Sequence, residues 1–236
     1  MSGTPRDPSD PLRLAHRGDH RAAPENTLEA CRAALALPDV DGLEFDVRLA
    51  ADGVPILLHD ETLARVQGRP DRAGDLTAAE LARHGIPTLA ELLVVAPAPA
   101  FLDVELKEDC GAAAVEVLER ARGASLERAV VSSFEPAALE TVRRLRPAWG
   151  CWLNVEDLAP ATIAAAVALG CRGVSAERTA IDAASAARVR AAGLELAAWT
   201  VVTHAEWDRL AALGVRAICV EREALSRRGA PRGTAG

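Results

Sequence analysis

The segment that decides the fold runs from residue 42 to residue 59 and reads GLEFDVRLAADGVPILLH. Its first eight residues alternate between apolar and polar side chains, which is the period of a β-strand, and residues 54–59 form a second, shorter apolar run. Between the runs, Asp52-Gly53 is a strong tight-turn signal, and the gap is too short for a crossover helix. We therefore expect the second run to fold back antiparallel on the first as a β-hairpin.

Outside this segment, short apolar runs alternate with Ala/Leu-rich stretches of helical period, which is the pattern of repeated βα units. The expected strands are residues 12–16, 42–49, 54–59, 100–107, 129–133, 149–153, 173–176, 195–201 and 216–220. Because one of these strands belongs to the hairpin, eight parallel strands remain. The pattern therefore predicts an α/β fold: a (β/α)8 TIM barrel with a β-hairpin and a short insertion after the second strand.

The ends of several helices are also indicated by the sequence. Three pairs have capping-box spacing, in which a capping residue is followed three positions later by Glu, and these pairs are Asn26–Glu29, Thr77–Glu80 and Thr88–Glu91. Glycines stand where left-handed residues are expected to end three helices, at Gly170, Gly193 and Gly214. Residues 66–75 are expected to form a loop, and residues 221–228 the last helix.

Length and composition favour one domain. A chain of 236 residues with 50% hydrophobic content suffices for one large core, so residues 1–228 are expected to form a single barrel domain. The Gly/Pro/Arg-rich tail, residues 229–236, is expected to be disordered. The five cysteines form no Cys-x-x-Cys pair, so neither a disulfide framework nor a zinc cluster is indicated.

The charge balance bears on the partners of the protein. A net charge of −7 argues against a nucleic-acid binder, which usually presents a basic surface. It does not exclude a phosphate substrate, because a bound divalent cation can reverse the local sign of a site. No apolar run approaches the roughly 18 residues needed to cross a bilayer. We expect a cytoplasmic protein, either a monomer or a homodimer, that acts on a small molecule.

Two carboxylates are expected to face the barrel interior. Side chains alternate faces along a strand, so Glu44 and Asp46 share one face of strand 42–49, while the apolar residues between them pack outward on the helices. Barrel enzymes place their sites at the C-terminal ends of the strands. Two buried like charges are unfavourable unless a positive group lies between them, and a hard divalent cation would supply it.

The strand at residues 100–107 repeats this pattern. Asp103, Glu105 and Lys107 share one of its faces, and Glu105 would be a third metal ligand. Lys107 is the only lysine in a chain that otherwise uses arginine, which suggests that a compact ammonium group is needed there. Lys107 would either offset the carboxylates or contact a phosphate oxygen.

Two histidines complete the candidate site. With the turn at Asp52-Gly53, His59 falls beside the carboxylate pair, and Asp60 is a candidate to orient its ring. His16 ends the first strand and is followed by Arg17, whose guanidinium matches phosphate geometry. Histidines, carboxylates and cations at one barrel mouth are the groups needed to cleave a phosphodiester, because they transfer protons and stabilise charge.

These residues stand within motifs that resemble the glycerophosphodiester phosphodiesterase family. The resemblance covers nearly the whole chain, from about residue 12 to residue 220, with the motifs in the family's usual order. The motifs are His16-Arg17-Gly18, Pro24-Glu25-Asn26-Thr27, Glu44-Phe45-Asp46-Val47, Asp52-Gly53, His59-Asp60, Gly74-Asp75-Leu76-Thr77, Ile86-Pro87-Thr88-Leu89, Glu105-Leu106-Lys107, Ser132-Ser133-Phe134 and Ala198-Trp199-Thr200-Val201.

The resemblance implies hydrolysis of glycerophosphodiesters to sn-glycerol 3-phosphate and an alcohol, with a route through a cyclic phosphate. It also implies Mg²⁺ or Ca²⁺ as the cofactor. By the same resemblance the metal ligands would be Glu44, Asp46 and Glu105, the acid–base pair His16 and His59, the phosphate contacts Arg17 and Lys107, and the wall against the glycerol Trp199.

The chain departs from the family pattern at three places. Val202 stands where the family usually has Asn, Glu221 follows Cys219-Val220 where a Thr-Asp pair is usual, and the segment between His59 and Ile86 is short. These departures concern the preference for the leaving alcohol. Two alternatives remain, a phosphodiesterase of the lysophospholipase D type and a non-catalytic barrel that binds polyol phosphates.

Overall fold

The computed structural model describes residues 10–228 of the chain, so the tail predicted to be disordered lies outside the described residues. The strands are β1 (Leu12–His16), β2 (Gly42–Leu49), β3 (Pro55–Leu57), β4 (Phe101–Leu106), β5 (Ala129–Ser133), β6 (Cys151–Val155), β7 (Gly173–Glu177), β8 (Glu195–Val201) and β9 (Ala217–Val220). The helices are α1 (Leu28–Leu35), α2 (Ala64–Gln67), α3 (Ala78–Ala82), α4 (Leu89–Val95), α5 (Gly111–Arg122), α6 (Pro136–Leu145), α7 (Pro160–Ala168), α8 (Ala183–Ala191) and α9 (His204–Ala211).

The strands close into the predicted barrel. They pair in the order β1-β9-β8-β7-β6-β5-β4-β2, all parallel, and a further pairing of β1 with β2 closes the ring. Helices on the outside connect successive strands. The (β/α)8 fold class is therefore confirmed. Between residues 10 and 228 the structure contains no helix suited to span a membrane, and the 12 residues of α5 fall short of the roughly 20 required.

The alternation of side chains divides each strand between two environments. Leu43, Phe45 and Val47 of β2 lie in the apolar layer between the barrel and the helices, as predicted. Residues of the opposite face fill the barrel interior, and below the mouth these are Leu12, Leu14, Phe101, Val130, Trp152, Ala197, Ala217 and Cys219. Burying each large apolar side chain contributes about 1.5–3 kcal/mol. The polar side chains that point inward lie above these apolar residues, at the C-terminal ends of the strands.

The predicted hairpin forms, and it continues one edge of β2. β1 pairs with β2 only as far as Glu44, whose carbonyl accepts a hydrogen bond from the Arg17 N–H (2.8 Å). The next carbonyl on that edge, at Asp46, accepts from the Leu58 N–H (3.2 Å), and β3 runs antiparallel from there. β3 therefore pairs with the part of this edge that β1 leaves unpaired, and His59, which follows β3, lines the same cavity as His16.

One predicted helix cap is wrong. Asn26 does not cap α1, because Thr27 holds that position and accepts a hydrogen bond from the Ala30 N–H. Asn26 has a φ of +57°, and its side chain points into the barrel mouth instead. The capping boxes that begin at Thr77 and Thr88 are both confirmed. The three predicted C-terminal glycines have φ between 66° and 75°, as expected.

Three other element predictions need correction. The strand expected at residues 149–153 begins later, at Cys151. The expected loop at residues 66–75 holds the end of α2 and a 3₁₀ turn. The last expected helix is only a 3₁₀ turn, Arg222–Leu225, because the side chain of Arg13 donates to the carbonyl of Ala224, which a continuing helix would have used.

Candidate active site

Three carboxylates meet at the C-terminal mouth of the barrel. Glu44 and Asp46 come from β2, and Glu105 stands beside Asp46 because β4 pairs with β2 in that register. One oxygen of each residue lies within 4.8 Å of the others, and all three side chains are buried. Both oxygens of Glu44 and Oδ1 of Asp46 have no hydrogen-bond partner within residues 10–228. The fold thus brings the predicted ligand set together.

The charge of this cluster is incompletely balanced. Burial, together with the negative charges of Asp46 and Glu105, raises the pKa of Glu44 well above its ordinary value. Burial likewise raises the pKa of Glu105. Hard divalent cations bind oxygen ligands. A bound cation would coordinate these unpartnered carboxylate oxygens and would offset the repulsion between the carboxylates. The three residues therefore fit a divalent cation and could hold one.

Two cations approach the same carboxylates. Nε of Arg17 lies 2.9 Å from Oδ2 of Asp46. Nζ of Lys107 lies 2.5 Å from Oε1 of Glu105 and 3.6 Å from Oδ1 of Asp46. Burial opposes ionisation of Asp46, but Arg17 and Lys107 outweigh it and hold the pKa of Asp46 below its ordinary value. In this structure Lys107 offsets the carboxylates, the first of its two predicted roles.

Asn26 is a site residue that the sequence analysis assigned to another role. Its Nδ2 donates a hydrogen bond to Oδ2 of Asp46 (2.8 Å), and its Oδ1 accepts one from the backbone N–H of Asp46 (3.3 Å). The side-chain amide thus fixes the position of one carboxylate. An Asn tolerates the left-handed backbone found here better than most residues. Its place in the motif Pro24-Glu25-Asn26-Thr27 is a second signal that the sequence offered.

His16 is positioned by the closure of the barrel. Its Nδ1 lies 2.6 Å from Oε1 of Glu221, and its Nε2 lies 3.7 Å from Oε2 of Glu44. Glu221 directly follows β9, and β9 pairs with β1, which ends at His16. Burial lowers the pKa of His16, and the hydrogen bond that its Nδ1 donates to Glu221 opposes that shift. The residue that departs from the family pattern therefore orients this imidazole.

His59 has a carboxylate partner next to it in the sequence. Its Nδ1 lies 2.6 Å from Oδ1 of Asp60, the partner that the sequence suggested. Burial lowers the pKa of His59. In both histidines Nδ1 contacts a carboxylate, so a hydrogen on Nδ1 leaves Nε2 as the lone-pair nitrogen. Each ring can then accept or, when protonated, donate a proton at Nε2.

Arg65 of α2 connects the segments that carry the two histidines. Its guanidinium donates to both oxygens of Glu25 (2.7 and 2.8 Å) and to Oδ2 of Asp60 (2.6 Å). Glu25 also accepts a hydrogen bond from Nη1 of Arg17 (3.0 Å). Burial would raise the pKa of Glu25, but Arg65 and Arg17 lower it to about 2. The sequence does not predict this role of Arg65, because the spacing between Arg65 and its partners Glu25 and Asp60 matches no recognisable motif.

The site residues surround a cavity of about 210 Å³. Trp199 forms part of its wall, where its Nε1 donates to the carbonyl of Ser175 (2.9 Å) and its ring meets Phe134 edge to face at 5.5 Å. Asp46 lies beneath the surface of the cavity, fully buried. The other predicted site residues line it directly, namely His16, Arg17, Glu44, His59, Glu105, Lys107 and Trp199.

Fold and site together define a parallel α/β barrel. Its mouth holds a cluster of three carboxylates, which could bind a metal ion, and two histidines whose Nδ1 atoms each contact a further carboxylate. The sequence profile of the Glycerophosphoryl diester phosphodiesterase family matches residues 16–224. The chain belongs to this family.

Individual relatives agree with the assignment. The chain is 31% identical over 156 residues to a glycerophosphodiester phosphodiesterase of Caldanaerobacter subterraneus, a match that covers 58% of this chain and 63% of the relative. It is 32% identical over 149 residues to glycerophosphodiester phosphodiesterase 1 of Rattus norvegicus, covering 56% of this chain and 45% of the relative. These matches therefore span less than two thirds of either relative's length.

Solved structures match over a larger share. A phosphodiesterase of Oleispira antarctica, in complex with the product sn-glycerol 3-phosphate, superposes with a TM-score of 0.80 at 28% identity, over 89% of this chain and 93% of that one. A glycerophosphodiester phosphodiesterase of Agrobacterium tumefaciens gives a TM-score of 0.74 at 26% identity, over 91% and 98% of the two chains. The barrel and its family are thus supported along nearly the whole described chain.

Proposed function

We propose that this protein hydrolyses glycerophosphodiesters to sn-glycerol 3-phosphate and an alcohol, with Mg²⁺ or Ca²⁺ held by Glu44, Asp46 and Glu105. The proposal rests on one observation in a chain of this family. Carboxylate oxygens without a hydrogen-bond partner in the described residues lie at the same cavity as two histidines, each of which contacts a carboxylate through Nδ1. The product bound to the Oleispira relative supports the choice of substrate. The described residues, which contain the family match, would act as one catalytic domain.

Proton transfer is assigned to the two histidines. A bound divalent cation would stabilise negative charge on the phosphoryl oxygens and lower the pKa of a neighbouring hydroxyl. Nε2 of one imidazole takes the proton of the attacking hydroxyl as the new P–O bond forms. The other histidine, which is protonated at the start, gives its proton to the leaving alkoxide as the old P–O bond breaks. The attacking hydroxyl is that of water or the glycerol 2-hydroxyl, and attack by the latter would give a cyclic phosphate, which water opens with the two roles exchanged.

Three further side chains bind the substrate in this proposal. Arg17 and Lys107 already stand at the carboxylates, and both line the cavity, where they can meet phosphate oxygens. The flat face of Trp199 forms a wall for the glycerol. Its orientation is fixed by the hydrogen bond to the carbonyl of Ser175.

The activity is tested by measuring release of glycerol 3-phosphate from glycerophosphocholine and glycerophosphoethanolamine, with Mg²⁺, Ca²⁺ or a chelator present. We expect release with at least one of the metals and none with the chelator. Absence of release with both metals on both substrates contradicts the proposal. Metal binding is tested by calorimetry on Glu44→Gln, with Glu61→Gln as a control, because Glu61 is exposed and pairs with Arg72 away from the carboxylate cluster.

Of the two alternatives, lysophospholipase D activity calls for an apolar approach to the site. The segment after β3 buries its apolar side chains in a small core of its own, formed by Ala50, Ile56, Leu58, Leu63, Ala73, Leu81 and Ile86. Lysophosphatidylcholine is therefore expected to be a poor substrate. A binding role without catalysis would be indicated if glycerol 3-phosphate raised the melting temperature while no substrate was turned over.

A further inference from the structure

The wall of the cavity opposite the carboxylates carries two polar side chains that the mechanism does not use. Asn154 of β6 and Ser175 of β7 are 6% and 2% exposed, and both line the cavity. Within residues 10–228 neither the amide of Asn154 nor the hydroxyl of Ser175 makes a hydrogen bond. Both residues line the cavity and their polar atoms are open to it, so a ligand in the cavity can complete their hydrogen bonds.

A serine of the same barrel layer shows the contrast. Ser132 of β5 also points inward, and its Oγ donates to Oδ1 of Asp103 at 2.6 Å. The fold therefore satisfies an inward hydroxyl where no ligand is needed. Within residues 10–228, Asn154 and Ser175 have no such partner, although both residues are buried.

The position of the two residues in the ring specifies what they face. β7 lies four strands from β2 in both directions around the barrel, and β6 lies four strands from β1. Ser175 is thus across the cavity from Glu44 and Asp46, and Asn154 is across from His16. The side chains that line this wall, Asn154, Ser175 and Trp199, are uncharged, and together they offer hydrogen bonds and a flat apolar surface.

We propose that Asn154 and Ser175 bind the free hydroxyls of the glyceryl half of the substrate and so select deacylated glycerophosphodiesters. This inference rests on the proposed function. A phosphate drawn to the charged side of the cavity leaves its polyol on the neutral side, where amide and hydroxyl donors match alcohol groups. An acyl chain on the glycerol would remove one of these hydroxyls and would have to fit within a cavity of about 210 Å³.

The test compares two phosphodiesters, glycerophosphocholine and bis(p-nitrophenyl) phosphate, which has no hydroxyl. For Asn154→Leu and Ser175→Ala, we expect kcat/KM on glycerophosphocholine to fall about 3- to 10-fold each, the usual effect of losing one neutral hydrogen bond. The rate on bis(p-nitrophenyl) phosphate should stay within about twofold of wild type. Ser132→Ala, which alters a hydroxyl already bonded to Asp103, should not discriminate between the substrates.

Thermal unfolding supplies a second readout. Because the polar atoms of Asn154 and Ser175 are unpartnered without ligand, Asn154→Leu and Ser175→Ala should not lower the melting temperature, whereas removal of a structural hydrogen bond would. Equal losses on both substrates, no loss on glycerophosphocholine, or a marked fall in melting temperature would each overturn the inference.

Failure of the proposed function can be recognised separately. If the wild-type protein cleaves only bis(p-nitrophenyl) phosphate, or neither compound, the proposed reaction is wrong. If it cleaves only glycerophosphocholine, the reaction stands and the second substrate offers no comparison. Calorimetric titration with glycerol 3-phosphate and with inorganic phosphate then decides the role of the two side chains. Selective weakening of glycerol 3-phosphate binding in the two variants supports the inference, and equal weakening or absence of binding to the wild type refutes it.

Discussion

The two imidazoles of the site make the same hydrogen bond in different surroundings. Each Nδ1 lies 2.6 Å from a carboxylate oxygen, but His16 is 14% exposed and His59 is 32% exposed. The partner of His16 is Glu221, 205 residues away, whereas the partner of His59 is the next residue. His16 is thus held by the closed barrel, and His59 by a hairpin that a surface arginine secures.

This difference predicts how each pair responds to change. A hydrogen bond to a charged group strengthens as water is excluded, so the buried pair should contribute more to orientation. The pair on the hairpin depends on Arg65, which is 49% exposed and therefore sensitive to salt and to the mobility of its segment.

The largest effect is expected from removing either ring. His16→Ala and His59→Ala should each lower kcat at least about 100-fold, since a general acid or base typically supplies that much. Metal affinity, measured by calorimetry, should stay near that of wild type because neither residue is a ligand. A variant that retained the wild-type rate would exclude its histidine from proton transfer.

Neutralising the partners distinguishes the two pairs. Glu221→Gln should lower kcat about 30-fold, within the range for hydrogen bonds to charged groups. Asp60→Asn should lower it less, about 5-fold, because its pair is more exposed to water. Glu221 raises the pKa of His16 toward its ordinary value, so its loss should move to lower pH whichever limb of the pH–rate profile His16 sets. If Asp60→Asn proved the more damaging, the order of the comparison would be reversed.

Arg65 provides the next test, because it acts on one pair only. Arg65→Gln should reduce kcat about threefold, an effect expected of a half-exposed ion pair. Added salt should lower the wild-type rate but have less effect on the variant. Arg69→Gln is the matched control, since Arg69 lies on the same insertion and pairs with Asp71 at 2.8 Å. Equal behaviour of the two variants would show that Arg65 does not position the hairpin.

The smallest effect concerns stability in acid. Arg65 lowers the pKa of Glu25 to about 2 against the opposing effect of burial, and its hydrogen bond lowers the pKa of Asp60 to about 2. A depressed pKa in the folded state stabilises the protein above the unfolded pKa, and this stabilisation is lost as the pH falls toward 2. The urea midpoint should therefore drop more between pH 5 and pH 3 in wild type than in Arg65→Gln. A drop of the same size in both would contradict the assignment.

Much of the site could be predicted because it depends on local patterns. The alternation in residues 42–49 placed Glu44 and Asp46 inward, and the turn at Asp52-Gly53 placed His59 beside them. The same patterns misled at Asn26, whose spacing to Glu29 is that of a capping box. Thr27 forms the cap equally well and frees Asn26 for Asp46, a choice that depends on a contact 20 residues away.

The sequence by itself determined the strand and helix order, the inward face of each strand and therefore the identity of the acidic cluster, because side-chain period and turn chemistry act between near neighbours. Only the tertiary structure decided the pairing of Glu221 with His16, the contacts of Arg65 with Glu25 and Asp60, and the lack of side-chain partners for Asn154 and Ser175 within residues 10–228. Each of these requires the barrel to close with a particular register, and no spacing along the chain specifies which distant residues that closure brings together.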